Sequence, residues 1–138
     1  MQLRSRGQVP DGGTVVYIAD TLGELGALIA HAKWVFMGGS LRPHGGHNLL
    51  EPAAFGVPQI SGPHTDNFAE EARALVRLGG LVQIRKSQAL KHFIGSFKDK
   101  EDAYREGARH AQHWVRKQSD MAERYKKRLE EIGVLTVK

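Results

Sequence analysis

Cysteine is missing altogether from the 138 residues. That excludes a disulfide framework, a thiol nucleophile and a cysteine-ligated zinc, and it suits a reducing compartment. No apolar run comes near the roughly 18 residues that a membrane-spanning helix needs, and no stretch reads as a secretion signal. Internal repeats and low-complexity tracts are lacking too. What is present is ordinary globular material, with 41% hydrophobic and 25% charged residues, so wholesale disorder is excluded. One domain is expected, burying about two-thirds of the surface of its unfolded chain.

Charge is unevenly placed. Residues 1–84 carry six Lys/Arg against seven Asp/Glu, whereas residues 85–138 carry fourteen against eight, so the formal net charge of +5 belongs to the C-terminal third. Glycine does the reverse. It comes in the pairs Gly12-Gly13, Gly38-Gly39, Gly45-Gly46 and Gly79-Gly80, all in the first two-thirds. One part reads as turns and chemistry, the other as helix and surface.

Residues 1–13 read as a loop, or as the cut edge of something larger. The β-branched and aromatic run TVVYIA at 14–19 predicts a buried strand. Apolar residues at 22, 25, 28 and 29 predict a helix over 22–32. Strands are predicted at 34–37, 57–61 and 81–84. Helices closed by glycine are predicted at 49–55 and 68–78. Short strands alternating with helices are the pattern of βαβ crossovers and a parallel sheet, here of about four strands. From Ser87 onward only helices are expected, and Trp114, Met121, Tyr125, Leu129 and Ile132 form a stripe that packs on the sheet or on a neighbour. The organisation is thus one unit, 1–138, with an α/β part at 14–86 and a helical part at 87–138.

Three strand-to-helix junctions share a pattern. Thr21-Leu22-Gly23-Glu24, Asn48-Leu49-Leu50-Glu51 and Asn67-Phe68-Ala69-Glu70 each set a small polar residue three positions before a glutamate, as a capping box does. Capping alone explains any one of them, and it is the preferred reading of Asn67 and Glu70. In a parallel sheet, however, all three helix starts lie on one rim. Backbone N–H groups and positive dipole ends gather there, which suits a phosphate. The second junction is long and glycine-paired, and glycine lets a backbone come close to a ligand. It is neither a Walker loop nor a GxGxxG turn. The residues by themselves therefore reach a phosphate-bearing ligand, a nucleotide in the first place, and stop there.

The segments Asp20-Thr-Leu-Gly-Glu-Leu25, Gly38-Gly-Ser-Leu41, Gly45-Gly-His-Asn-Leu-Leu-Glu-Pro-Ala-Ala54, Gly62-Pro-His64 and Asn67-Phe68 closely resemble, in order and spacing, the 3-deoxy-D-manno-octulosonic acid (Kdo) transferases of lipopolysaccharide core biosynthesis in Gram-negative bacteria. The resemblance implies a GT-B glycosyltransferase with two Rossmann-like domains. The C-terminal one binds the donor CMP-Kdo. The N-terminal one binds the lipid A precursor and carries the catalytic base. This chain is then expected to be a C-terminal, donor-binding fragment with no catalytic residue of its own, inactive alone, from an enzyme at the cytoplasmic face of the inner membrane. The family's CMP contacts carry over onto Leu22, Gly23 and Glu24, and onto Asn48, Leu49, Leu50 and Glu51. Gly39, Ser40, Gly46 and His47 are further candidate donor contacts. An upstream Pro-Arg pair of the family has no match, and Leu49 stands where the family usually has proline. Backbone N–H groups near Gly23 and around 48–50 are expected to hold the CMP phosphate, and Glu51 to accept from ribose hydroxyls rather than to cap. Glu24 is an even choice between cap and ligand.

His44, His47 and His64 invite a metal reading, but no carboxylate or cysteine completes a set, so no metal or other cofactor is expected. His47 reads equally as a donor contact and as a brace for its loop. The basic C-terminal third allows a nucleic-acid-binding or other non-catalytic nucleotide-binding module as the rival. Its cations are interleaved with acids and no nucleic-acid motif accompanies them, so nucleic acid is not expected as a partner. An anionic membrane surface is a third partner for these cations.

Overall fold

The computed structural model describes residues 1–131. Five short strands and five helices follow one another in a mostly alternating order: β1 (Gln2–Leu3), β2 (Tyr17–Ile18), α1 (Leu25–His31), β3 (Val35–Met37), α2 (Leu50–Ala54), β4 (Gln59–Ser61), α3 (Ala69–Arg77), β5 (Leu81–Gln83), α4 (Ser87–Ser96) and α5 (Glu101–Glu131). Every strand pair is parallel. β3, β4 and β5 lie side by side in chain order, with Phe36 opposite Ile60 and Ile60 opposite Val82. β1 and β2 form a separate two-stranded sheet.

Side-chain alternation on β4 sets the layers. Ile60 enters a cluster with Ile84, Phe93 and Phe97, packed by Trp34, Phe36 and Tyr104. Here Phe93 meets the Tyr104 ring at 4.8 Å between centroids and the Trp34 ring edge-on at 6.0 Å. The neighbouring residues Gln59 and Ser61 are buried as well. A second cluster joins Met37, Leu49, Ala53, Ala72, Leu75, Leu81 and Ala111, with Trp114 and Val115 packed against it. The three-stranded sheet therefore lies between α4, joined by Tyr104 in the first turn of α5, on one face and α2, α3 and the following turns of α5 on the other.

α5 owes its close seat to small residues. Gly107, Ala108 and Ala111 are its buried positions. A Cβ on Gly107 would lie 2.1 Å from the Gly79 carbonyl oxygen, and one on Gly80 would lie 2.5 Å from the Ala111 Cβ. Helix and turn touch backbone to backbone.

The predicted strands at 34–37, 57–61 and 81–84 and the helices at 49–55 and 68–78 are present with slightly tighter bounds. Three expectations are corrected. The run at 14–19 is not a buried strand: only Tyr17 and Ile18 pair, and Val15 is 91% exposed. Its start is taken up by a turn in which Thr14 N–H donates to the Asp11 carbonyl at 3.0 Å. Residues 1–13 are not merely a loop, because Gln2 and Leu3 supply the partner strand. The helix expected from 22 starts at Leu25, since Gly23 turns left-handed at φ 87°, and of the predicted stripe only Ile29 is buried. The C-terminal stripe also divides. Trp114 packs on the core, while Met121, Tyr125 and Leu129 are exposed, and Ile132 lies outside the described residues.

Two glycine substitutions separate packing from propensity. Gly107→Ala gains about 1 kcal/mol of helix propensity but drives a methyl into a backbone carbonyl, so it is expected to destabilise by about 1–3 kcal/mol net. Gly95→Ala, in α4 with nothing within 4 Å of the new methyl, is expected to stabilise by about 0.5–1 kcal/mol. Urea midpoints at unchanged m-value measure both.

Candidate functional site

Because the strands are parallel, each helix start lies beyond the carboxyl end of the strand before it, the rim where open α/β sheets take ligands. The first two junctions are brought together by α1 and α2. A Cβ on Gly26, in the first turn of α1, would lie 3.3 Å from the Phe55 ring and 3.9 Å from Glu51 Oε1. The Glu51 carboxylate thus sits beside the start of α1. The second and third junctions meet at Gly45 and Gly46.

The first junction does not form the expected capping box. Glu24 is the N-cap of α1 and makes no side-chain cap bond. Its carboxylate instead accepts from the Thr21 hydroxyl and, in two-pronged fashion, from Arg4 Nε at 2.8 and 3.0 Å and Nη2 at 2.6 Å. Arg4, and then Thr21, hold the Glu24 carboxyl below its ordinary value, and Glu24 in turn raises Arg4. Asp20, at the other end of the loop, accepts from Ser5 N–H at 2.8 Å and Ser5 Oγ at 2.5 Å, which lowers its carboxyl likewise. Between these two anchors Leu22 is wholly exposed and Gly23 is left-handed.

At the second junction Asn48 Oδ1 accepts from Leu50 N–H at 3.0 Å, an Asx-type turn that ushers the chain into α2. The side chain of Leu49 is fully buried, so only its backbone is available to a ligand. Buried Gln59 donates from Nε2 to the Leu49 carbonyl at 3.0 Å, while its Oε1 finds no partner among the described residues. Leu50 and Glu51 are half-buried in the first turn, and Asn48 is exposed.

The remaining candidates lie in the loop between β3 and α2. Ser40 is fully buried: its hydroxyl donates to the Met37 carbonyl at 2.5 Å and accepts from Gly62 N–H at 2.8 Å. Gly39 lies under the His47 ring, whose Nε2 would be 3.3 Å from a Cβ there. The glycine pair at 45–46 admits protein rather than ligand. At Gly45 a Cβ would fall 2.4 Å from the Asn67 amide nitrogen, and at Gly46 3.1 Å from the His64 carbonyl. Asn67 accordingly does not cap α3. That helix follows a 3-10 turn at Asp66–Phe68 without a side-chain cap bond. Among the described residues no three His, Cys, Asp or Glu side chains gather as a metal site.

Sequence reasoning missed Arg4, Ser5 and Gln59. The first two lie in a tail whose two-residue strand is too short to show alternation. Gln59 sits in an apolar run where a single polar side chain carried no periodic signal. A cleft of about 650 Å³ opens next to the second junction, from Leu50 across α3 (Arg73, Arg77) to α5 (Trp114, Gln118).

A parallel, Rossmann-like α/β unit with two helix starts and a carboxylate on its ligand rim is the class that this geometry defines. Comparison with known proteins gives it a more particular setting. The chain is 43% identical over 84 residues to the 3-deoxy-D-manno-octulosonic acid transferase of Haemophilus influenzae, covering 61% of this chain and 20% of that protein. It is 32% identical over 110 residues to the one of Rickettsia typhi, covering 76% of this chain and 24% of that protein. The crystal structure of the C-terminal CMP-Kdo binding domain of WaaA from Acinetobacter baumannii shares the fold with a TM-score of 0.75 at 32% identity, over 83% of this chain and 60% of that one. No protein-family model matches the chain. The chain spans about a fifth of the length of such curated relatives. The resemblance carried by the motifs therefore extends over 61% to 83% of the chain in these comparisons, and the fold is shared with that C-terminal CMP-Kdo binding domain.

The lowered Glu24 and Asp20 carboxyls fix a pH dependence. The unfolded chain takes up these protons first as pH falls, so the bonds to Arg4, Thr21 and Ser5 stabilise the fold above the ordinary carboxylate range. That contribution disappears as pH drops through the lowered folded values. Melting temperatures followed downward from pH 6 are expected to fall more steeply for the wild-type chain than for Glu24→Gln, which lacks one of the two titrations.

Proposed function

We propose that this chain is the donor-binding part of a Kdo transferase, holding CMP-Kdo while a separate, N-terminal part supplies the lipid A precursor and the catalytic base. The contact of α1 with α2, which sets the Glu51 carboxylate beside the start of α1, carries the reading. It gives one ligand two sets of backbone N–H groups and one anionic acceptor. In the proposed complex the phosphate of CMP lies against the N–H groups near Gly23 and at 48–50, where the helix starts favour negative charge. Leu49 contributes through its backbone alone. Glu51 accepts from the ribose hydroxyls, a role for which acidic residues are suited in nucleotide sites. The transfer itself is a displacement at the anomeric carbon with inversion. The acceptor hydroxyl, deprotonated by the base of the other part, attacks, and CMP departs. N–H groups already aimed at the leaving phosphate stabilise the charge that develops on it.

The whole enzyme then works at the cytoplasmic face of the inner membrane. Among the described residues no helix is long and apolar enough to cross a membrane. The outer half of α5, where Arg116, Lys117, Arg124, Lys126, Lys127 and Arg128 outnumber Asp120, Glu123, Glu130 and Glu131, supplies cations to anionic headgroups. Sedimentation with vesicles is expected to rise with their anionic lipid content; sedimentation indifferent to that content removes this part of the proposal.

Titration with CMP tests the donor site. Amide shifts are expected to cluster at 22–24 and 48–51, and the chain alone is expected to transfer no Kdo. Shifts that spread over 105–128 on adding RNA, with none from CMP, would favour a nucleic-acid-binding module instead. Glu51→Gln exchanges a charged acceptor for a neutral one and is expected to weaken CMP about tenfold or more, as read by calorimetry.

A further inference from the structure

We propose that Arg4 is a positioning residue for the donor site, fixing the shape of the loop at 20–24 through its two-pronged grip on Glu24. The inference rests on the donor-binding reading and adds to it a residue outside every motif that supports that reading.

The argument starts from what does not hold this loop. Leu22 is wholly exposed, Leu25 is exposed, and the first buried side chain of α1 is Ile29. No apolar packing therefore defines the path from Asp20 to Glu24. What defines it is the N-terminal arm. β1 pairs with β2, and the next two residues reach across to the two ends of the loop. Ser5 takes Asp20 through both its N–H and its hydroxyl, and Arg4 takes Glu24 through Nε and Nη2.

An exposed ion pair adds little to stability. The Arg4 and Glu24 side chains are 41% and 35% exposed, so the stability this pair adds is small and its geometry is the larger contribution. A planar guanidinium on a carboxylate fixes orientation as well as distance, which a lysine cannot do. Thr21 completes the set by donating to the same carboxylate. With both ends tied, the tip at Leu22 and Gly23 is held in one conformation before any ligand arrives. Its N–H groups need not be ordered when CMP binds, and ordering of loops is a recognised cost of association.

The test uses the full 138-residue chain. CMP is titrated by calorimetry and by amide shifts into the wild type, Arg4→Met, Arg4→Lys, Glu24→Gln and the double variant Arg4→Met/Glu24→Gln. Arg4→Met is expected to weaken CMP about tenfold, with Arg4→Lys restoring only part. CMP-induced shifts at 22–24 shrink, while those at 48–51 persist. If Arg4 acts through Glu24, the double variant binds no more weakly than Glu24→Gln alone. Affinity of Arg4→Met within twofold of the wild type overturns the inference. So does additivity in the double variant, which would make Arg4 a direct ligand contact, and so does an equal loss of shifts at both junctions, which would make it a general structural residue. A wild-type chain that binds no CMP defeats the donor-binding reading itself, an outcome distinct from all of these.

Discussion

The rim is built on one buried hydroxyl. Ser40 sits in the turn just past β3, where its Oγ ties the Met37 carbonyl to the Gly62 N–H, and its own carbonyl accepts from His64 N–H at 3.0 Å. The two loops that leave β3 and β4 are thereby joined at their roots. The approach is so close that a Cβ on Gly62 would stand 2.1 Å from the Ser40 oxygen. A little further out, Asn67 and His64 occupy the space that Gly45 and Gly46 leave free. The third junction thus acts as the mould in which the long second one is cast. The loop at 20–24 and the start of α2 stand at the two ends of this rim, with the exposed residues 41–44 between them.

How much of this the sequence disclosed depends on how each part is stabilised. β3, β4, β5, α2 and α3 are held by apolar burial, which leaves a periodic trace, and their glycine stops at Gly56 and Gly79 take the left-handed conformation at φ 68° and 77°. The arm is held by side-chain hydrogen bonds across 15 to 20 residues, and no local pattern betrays these. The run at 14–19 misled for the opposite reason. It has the composition of a core strand, but among the described residues β1 is its sole partner and its valines remain in solvent. Capping boxes were legible as spellings and not as bonds: Glu24 turned to Arg4, and Asn67 turned to Gly45. The candidate donor contacts were named by resemblance. What the physical reading added is where they stand, with Ser40 buried at the root of the loop, Gly46 against the third junction, and Asn48 to Glu51 at the start of α2.

Charge follows the same division. The α/β part is nearly neutral, so it offers an anion oriented peptide groups rather than an excess of lysine and arginine. The cations lie mainly in the helical third, and on α5 they are densest beyond the point at which that helix leaves the core. One helix therefore has two characters. Small residues near its start let it lie against a backbone turn, and long charged ones near its end keep it in solvent.

The placement of the two tryptophans has a practical corollary. Trp34 meets Phe93 on the α4 side of the three-stranded sheet, whereas Trp114 leans on the Leu75 and Ala111 layer across from it. Each indole is thus a native optical label for one layer, and replacing either by phenylalanine leaves the emission of the other to be watched alone. Superimposable denaturation traces from the two singly labelled chains would mark the layers as one cooperative unit.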